Sequence, residues 1–493
     1  MQNNQQNTLS NLLFPMPLSV TEGSGLFRIN TATTIAAEPL FEGVAALASE
    51  LLGLKLGGED ILFKEEGGLE DEEYILTISS QQIVIKASTA QGGFRGFSTL
   101  RRLIIASDTI IPAGIITDKP TFEWRGFMLD CCRHFLSPTF VKKMIDVASL
   151  FGMNRFHWHL TDDQGWRIPI DGYPRLESVA SKRVELNYTD GRTHGRLYTK
   201  EEIADVQAYA AQRFVIVIPE IEVPGHASAL LAAYPDFGCT KGPYEVQDRW
   251  GIFDEVMCAG NDGLMKFLED AIEQTAKLFD GPYLHIGGDE APHTAWKSCP
   301  DCTRRMEAEG LSKIDELQGW MTSVVARMVT KAGKSPIGWD EVLDGTENMN
   351  LPKELIVQSW RGSAGGLEAA KRGHYTIMSP NTDGCYLDYH HIESEEEMGN
   401  LGVSTIEQVA RFTPTPSHMA DEAKRFVLGG QVNLWTERIT KSRQAEYMLF
   451  PRLLIFAQQL WQSQSVADTL AKRPLLEKFC DHLDLVCYRG PSA

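Results

Sequence analysis

No apolar run in the chain approaches the roughly 20 residues needed to cross a bilayer, so membrane insertion is not expected. Basic residues are in short supply. The 47 Lys and Arg against 66 Asp and Glu leave a net charge of −19, which argues against nucleic acid and against an anionic membrane surface as partners. The N-terminal stretch MQNNQQNTLSNLLF has neither the basic region nor the long apolar region of a secretory signal. A mature secreted chain with its signal removed would read the same way, and a cytoplasmic location is the expectation. The nine cysteines are odd in number and scattered, which fits reduced thiols better than a disulfide framework. Cys299-Pro300-Asp301-Cys302 has metal or redox spacing, but no second Cys-x-x-Cys completes a zinc site, so it reads as a free-thiol loop. Strict repeats and low-complexity segments are also absent.

What is present describes a soluble globular protein, with 43% hydrophobic and 23% charged residues. A chain of 493 residues exceeds one ordinary domain unless most of it is a large α/β barrel. Residues 1–118 read as a small α+β domain. Tyr74–Ile78 and Ile83–Ala87 are β-rich runs joined by a short polar turn, which predicts a hairpin. Gln91-Gly92-Gly93 is expected to break the chain before Phe97, Leu100, Leu103 and Ile104 recur at helical spacing. Asp118-Lys119-Pro120 marks a boundary, and residues 119–493 alternate strand with helix before one or two closing helices after Trp461. Candidate strands are 127–131, 155–160, 215–220, 283–288, 336–339, 355–359, 375–379 and 427–433. That number of β-units fits a (β/α)8 TIM barrel better than an open sheet.

Each candidate strand ends in residues able to do chemistry. In order these are Asp130-Cys131-Cys132-Arg133-His134, then His157 to Asp163, then Glu220-Ile221-Glu222 with His226, then Asp289-Glu290. Trp339-Asp340-Glu341, Trp360-Arg361, Tyr386-Leu387-Asp388 and Trp435-Thr436-Glu437 follow. Barrel enzymes build their active sites at this end of the strands. The stretch from Tyr283 to Glu290 carries the sharpest signal. It is a short apolar run, then two glycines that allow close approach, then two adjacent carboxylates that oppose each other's ionisation, so that one is expected to hold a proton. Acids together with tryptophans suit a pyranose ring, whose hydroxyls need carboxylate and Arg partners and whose apolar face stacks on aromatics. Adjacent acids are poorly placed as a two-carboxylate glycosidase pair, whose members stand roughly 5–9.5 Å apart across the scissile bond. One acid is therefore expected to protonate the leaving oxygen while the other orients a nucleophile supplied by the substrate.

The motifs Leu129 to Phe135, His157 to Gln164, Glu220 to His226, His285 to Glu290 and Trp435-Thr436-Glu437 resemble those of family 20 glycoside hydrolases, the β-N-acetylhexosaminidases. The segment Gly93 to Leu100 is similar to the end of the small domain that precedes the barrel in that family. The resemblance implies exo-acting, retaining, substrate-assisted hydrolysis of a terminal β-linked GlcNAc or GalNAc from a glycan or glycoconjugate, through an oxazolinium intermediate. It implies Glu290 as general acid and then base, Asp289 as the partner of the acetamido N–H, and Tyr386 as donor to the acetamido oxygen. Trp339, Trp360 and Trp435 would box the N-acetyl group and the ring. Arg133 would bind O3 and O4, while Asp388 and Glu437 would bind O4 and O6. Asp162 and His226 would tune the two acids from the rim or from behind them. No cofactor and no metal are expected.

Plainer readings stand beside these. His157 and His159 alternate with Trp158 and Leu160, which puts the imidazoles inside the barrel as hydrogen-bonded interior groups and the apolar pair against the helices. Glu220 and Glu222 read as structural support, Cys131 and Cys132 as packing, and Asp340 and Glu341 as rim groups facing an adjacent sugar unit. A rival enzyme class is a metal-dependent amidohydrolase built on His157, His159, His226 and Asp289. A sugar-binding protein without activity is the rival outside catalysis.

Overall fold

The computed structural model describes residues 8–184, 193–393 and 399–490. Among them no helix is long and apolar enough to cross a membrane. The N-terminal part forms a seven-stranded sheet whose central hairpin pairs Tyr74 with Ala87 and Ile78 with Ile83. Its last strand, Ile110–Asp118, leads directly to the first strand of the barrel, Trp124–Asp130. The helix across this sheet spans Ala90–Ser107 and is capped by the Thr89 hydroxyl, which accepts from the Gly92 N–H. Gly92 and Gly93 thus lie inside the helix and do not break the chain. The reason is steric: a Cβ on Gly92 would stand 2.7 Å from the Glu73 carbonyl, and one on Gly93 would stand 2.6 Å from the Phe41 ring.

The second part is a closed barrel of eight parallel strands. In chain order they are Trp124–Asp130, Arg155–His159, Ile216–Glu220, Tyr283–His285, Ser335–Trp339, Ile356–Ser359, Thr376–Met378 and Val427–Leu434. All eight overlap the stretches expected from the sequence, and the first begins three residues earlier than expected. The fourth is shorter than expected, because Gly287 and Gly288 take φ of +66° and +113° and turn the chain out of the sheet. The intervening helices carry local start signals. Ser137 caps Pro138–Leu150, Thr199 and Glu202 form a capping box on Lys200–Ala211, and Asn261 caps Asp262–Leu278. Trp158 lies on the helix side against Tyr198 and Phe279, as its alternation with the two histidines requires.

The barrel interior is layered. Trp124, Ile218, Ile337, Ile356 and Ile377 make an apolar cluster of their own. Above it the register aligns Asp130, His159, Glu220 and His285 across four neighbouring strands, and this layer is polar. The two parts of the molecule are joined through Glu72, whose carboxylate receives the buried guanidinium groups of Arg95 and Arg125. Burial alone would raise the Glu72 pKa, but these two cations hold it down at about 2.

Removing one member of a buried charge cluster strands the others, at a cost of about 3–5 kcal/mol. Glu72→Ala is therefore expected to lower the unfolding free energy by about 3 kcal/mol in denaturant titrations. The folded-state pKa of Glu72 is depressed, so its contribution is complete above the ordinary value of 4.5 and is lost as pH falls towards 2. The gap between wild type and variant should close over that window.

Candidate active site

The Glu220 carboxylate stands at the centre of the polar layer. It meets His157 Nε2 at 3.0 Å, His285 Nδ1 at 2.8 Å and Trp339 Nε1 at 3.0 Å, and it also bonds His159 Nδ1. Burial opposes its ionisation, yet His159, His285 and His157 hold its pKa well below the usual carboxylate range. Burial likewise works against the charged form of His159, but Glu220 and Asp162 raise it to about 10. His157 goes the other way, pushed to about 4 chiefly by burial. The interior role expected for the two histidines is the one observed. They are engaged by Glu220, while His226 is engaged by Asp163 at 2.9 Å.

Above this layer lies a cavity of about 160 Å³. Of the residues singled out from sequence, Arg133, His226, Asp289, Glu290, Trp360, Tyr386, Trp435 and Glu437 line it. Trp339 lies deeper, with its ring 5.9 Å from that of Trp435. Trp360 stacks on Tyr386 at 6.2 Å with a 17° interplanar angle, and Tyr386 stands 6.3 Å from Trp435, which gives an aromatic box open on one side. Tyr386 reaches this position because its segment pairs with the end of the last barrel strand: the Leu387 N–H donates to the Asn433 carbonyl at 2.8 Å.

Asp289 and Glu290 leave the fourth strand through the two glycines, with Glu290 at φ +48°. His226, at φ +46°, places Nε2 3.5 Å from Asp289 and 3.6 Å from Glu290. Asp289 is buried, which opposes ionisation, but His226 holds its pKa below the ordinary value. The acids near Asp289 that are pushed upward are Glu222, by burial and by the Asp289 charge, and Glu341, to about 9 for the same two reasons. The close approach at Gly287 is also internal: a Cβ there would overlap the Glu222 carboxylate, whose Oε1 accepts the Gly288 N–H at 2.8 Å.

Arg133 is clamped by Asp162 at 3.0 Å, Asp130 at 3.3 Å and Gln164 at 2.9 Å, and its guanidinium lies 5.0 Å above the Trp435 ring. Asp162 therefore does not line the cavity; it holds Arg133 and His159 from behind. Asp388 is fully buried beside Glu437, and neither of its carboxylate oxygens has a hydrogen-bond partner. Asp289 Oδ1 and Glu437 Oε2 are unpartnered as well. Four acceptor atoms around one small cavity thus await donors. Asp340 and Glu341 are not free rim groups: Asp340 pairs with Arg361 at 3.0 Å, and Glu341 accepts from Trp360 Nε1 at 2.8 Å. Glu341 and Glu290 also border an outer groove of about 630 Å³.

Sequence reasoning missed Asn400 in the cavity wall, and it gave no role to Tyr389 beside it or to Asp163 and Gln164 behind it. Asp163 and Gln164 lay in a motif already singled out, whereas nothing local marks Asn400. Cys299 and Cys302 are free thiols as expected, but they do not stand alone: Cys239 and Cys258, free thiols as well, lie beside them.

Two family models cover the chain: glycosyl hydrolase family 20, catalytic domain, over residues 122–464, and glycosyl hydrolase family 20, domain 2, over residues 11–119. The chain belongs to glycosyl hydrolase family 20. A β-hexosaminidase of Porphyromonas gingivalis is 39% identical over 97% of this chain, which spans 63% of that relative's length. An exo-β-N-acetylglucosaminidase of Vibrio harveyi, solved with N-acetylglucosamine, superposes with a TM-score of 0.88 at 31% identity, covering 98% of this chain and 79% of the other. The Streptomyces plicatus N-acetyl-β-hexosaminidase with thio-NAglucal gives 0.84 at 30% identity, covering 98% and 97%. Within the family 20 barrel of this chain, the aromatic box and the paired acids occupy the C-terminal ends of the strands.

Glu220→Gln should destabilise the barrel by about 3 kcal/mol or more, since it leaves buried imidazoles without their counter-charge. His159 has a raised folded pKa, so its contribution is complete below 6.5 and is lost as pH rises through about 10. Denaturant titrations between these limits should show a decline in wild type that is smaller in Glu220→Gln.

Proposed function

We propose that this family 20 protein is an exo-acting, retaining β-N-acetylhexosaminidase that removes a terminal β-linked GlcNAc or GalNAc by substrate-assisted catalysis. One observation carries the reading: a cavity of about 160 Å³ combines an aromatic box with two adjacent acids, only one of which is near the open side. The side chain of Glu290 is 33% exposed against 11% for Asp289, which suits a proton donor to a leaving group and a buried acceptor respectively. A cavity of this size accommodates one sugar ring, which favours action at a chain end.

In the first step the Glu290 carboxyl gives its proton to the glycosidic oxygen while the C1–O bond breaks. The acetamido carbonyl oxygen of the same sugar closes onto C1, forming the oxazolinium ring. Asp289, ionised through its contact with His226, accepts the acetamido N–H as positive charge develops on it, an electrostatic contribution aimed at the transition state. Tyr386 donates to the acetamido oxygen, and the tryptophans keep water from the methyl side. In the second step the Glu290 carboxylate takes a proton from water, whose oxygen adds to C1 and reopens the ring with retained configuration. The unpartnered oxygens of Asp388 and Glu437 accept from the sugar hydroxyls, and Arg133 donates to them. The outer groove beside Glu290 and Glu341 receives the aglycone.

The test compares p-nitrophenyl β-GlcNAc with p-nitrophenyl β-glucoside, with and without a GlcNAc-thiazoline inhibitor. Turnover of the acetamido sugar alone, blocked by the inhibitor, is expected; equal turnover of both substrates would require an enzymatic nucleophile and overturn the mechanism. Asp289→Asn should lower kcat by about 10²–10³, as the loss of an oxyanion-hole donor does elsewhere. Glu290→Gln should slow substrates with poor leaving groups far more than activated aryl glycosides, whose departure needs no proton.

A further inference from the structure

Four cysteines that no family motif marks converge on one point outside the sugar cavity. Cys239 and Cys258 come from the loop after the third barrel strand, and Cys299 and Cys302 from the start of the helix Pro300–Glu309 after the fourth. All are free thiols, and Cys258, Cys299 and Cys302 are buried. Their sulfurs lie 3.8 Å apart for Cys239–Cys302 and 3.7 Å apart for both Cys258–Cys299 and Cys258–Cys302, with all four within 4.8 Å of one another. Four sulfurs each about 2.3 Å from one zinc stand about 3.8 Å apart at tetrahedral corners. Disulfides would bring sulfurs to about 2.05 Å and would join them in pairs. The observed arrangement is a single group of four, large enough for one ion.

The backbone is shaped to the same end. Cys299 is the N-cap residue of its helix, which places Cys302 in the first turn. On the other side, Cys258-Ala259-Gly260 turns back sharply, with the Asn261 N–H donating to the Cys258 carbonyl at 2.9 Å. Gly260 lies flat on the opposing turn: a Cβ there would stand 2.1 Å from the Asp301 carbonyl carbon and 2.5 Å from the Cys302 nitrogen.

We propose that Cys239, Cys258, Cys299 and Cys302 form a closed, structural tetrathiolate site for one Zn²⁺ ion. With all four corners taken by protein sulfur, no position remains for water or substrate, so the ion acts on the fold and not on the reaction. It ties together the two loops that carry His226 and the Asp289-Glu290 pair. The neighbouring contacts follow the same line. The Met257 N–H donates to the Pro224 carbonyl at 3.0 Å, and Trp296 Nε1 donates to the Met257 carbonyl at 2.8 Å. Trp296 in turn stacks on His293 at 5.2 Å, three residues beyond Glu290. Both His226 and Glu290 hold left-handed backbone conformations that need such support.

The test begins with elemental analysis of the full chain, expressed with zinc supplied, kept reduced and purified without a metal-affinity step. Roughly one zinc per chain is expected, released in step with modification of four thiols by a mercurial and absent from the Cys299→Ser/Cys302→Ser double variant. That variant should also show a lower Tm, and wild type stripped of its zinc should match it. Chains that carry no zinc although it was supplied, stoichiometric iron in its place, or non-reducing masses that show two disulfides among these residues would each overturn the proposal. The wild-type stoichiometry and thiol protection stand whether or not the double variant folds.

Discussion

The buried carboxylate of Glu220 is the constraint on which the barrel's upper half depends. Four side chains from the second, fourth and fifth strands converge on it, and three of them are imidazoles. An isolated ion in this position would carry a large desolvation cost, which only a complete set of partners offsets. Because His159 also reaches Asp162, and Asp162 clamps Arg133, the orientation of the Arg133 guanidinium at the cavity wall is set from inside the barrel. Trp339 is fixed by the same carboxylate, so one wall of the aromatic box shares its anchor with the charged side of the cavity.

A second chain of contacts fixes the acids. Asp163 bonds His226 and, through its other oxygen, the N–H and hydroxyl of Ser228, which also holds the loop that carries His226. His226 then faces both Asp289 and Glu290. Glu222, pushed towards its neutral form, occupies the space that a side chain at Gly287 would need. The two adjacent acids thus differ in environment although they are neighbours in sequence. Asp289 turns inwards to a histidine, whereas Glu290 turns to the opening and to the outer groove. In the proposed mechanism, that separation is what lets one strand end supply both an acceptor and a proton donor.

Much of this was legible in the sequence, for local reasons. The eight barrel strands announce themselves as short apolar runs, and the residues just after them follow from the rule that barrel sites lie at the C-terminal ends. The alternation His157-Trp158-His159-Leu160 assigns inside and outside correctly because a strand has a period of two. Local signals failed where a close neighbour comes from far along the chain. Gly92 and Gly93 read as a break because the Glu73 carbonyl and the Phe41 ring that press on them are not local. Asp162 and Asp163 are adjacent acids of one motif, and only the position of Arg133 and His226 decides which acid serves which.

By itself the sequence determined the fold class, the order of the strands and the chemical types delivered to the site, since periodicity, turn residues and strand-end motifs are encoded within short windows. The tertiary structure alone decided which groups meet. It made Glu220 the hub and not a bystander, brought Asn400 and Tyr389 to the cavity wall, and left the oxygens of Asp388 without partners. It also gathered Cys239 and Cys258 with a Cys-x-x-Cys pair that looks solitary in one dimension. The physical reason is the same in each case. Ionisation, hydrogen bonding and metal ligation depend on distances of a few ångströms, and in a barrel those distances are set by closure of the sheet and by the long loops above it.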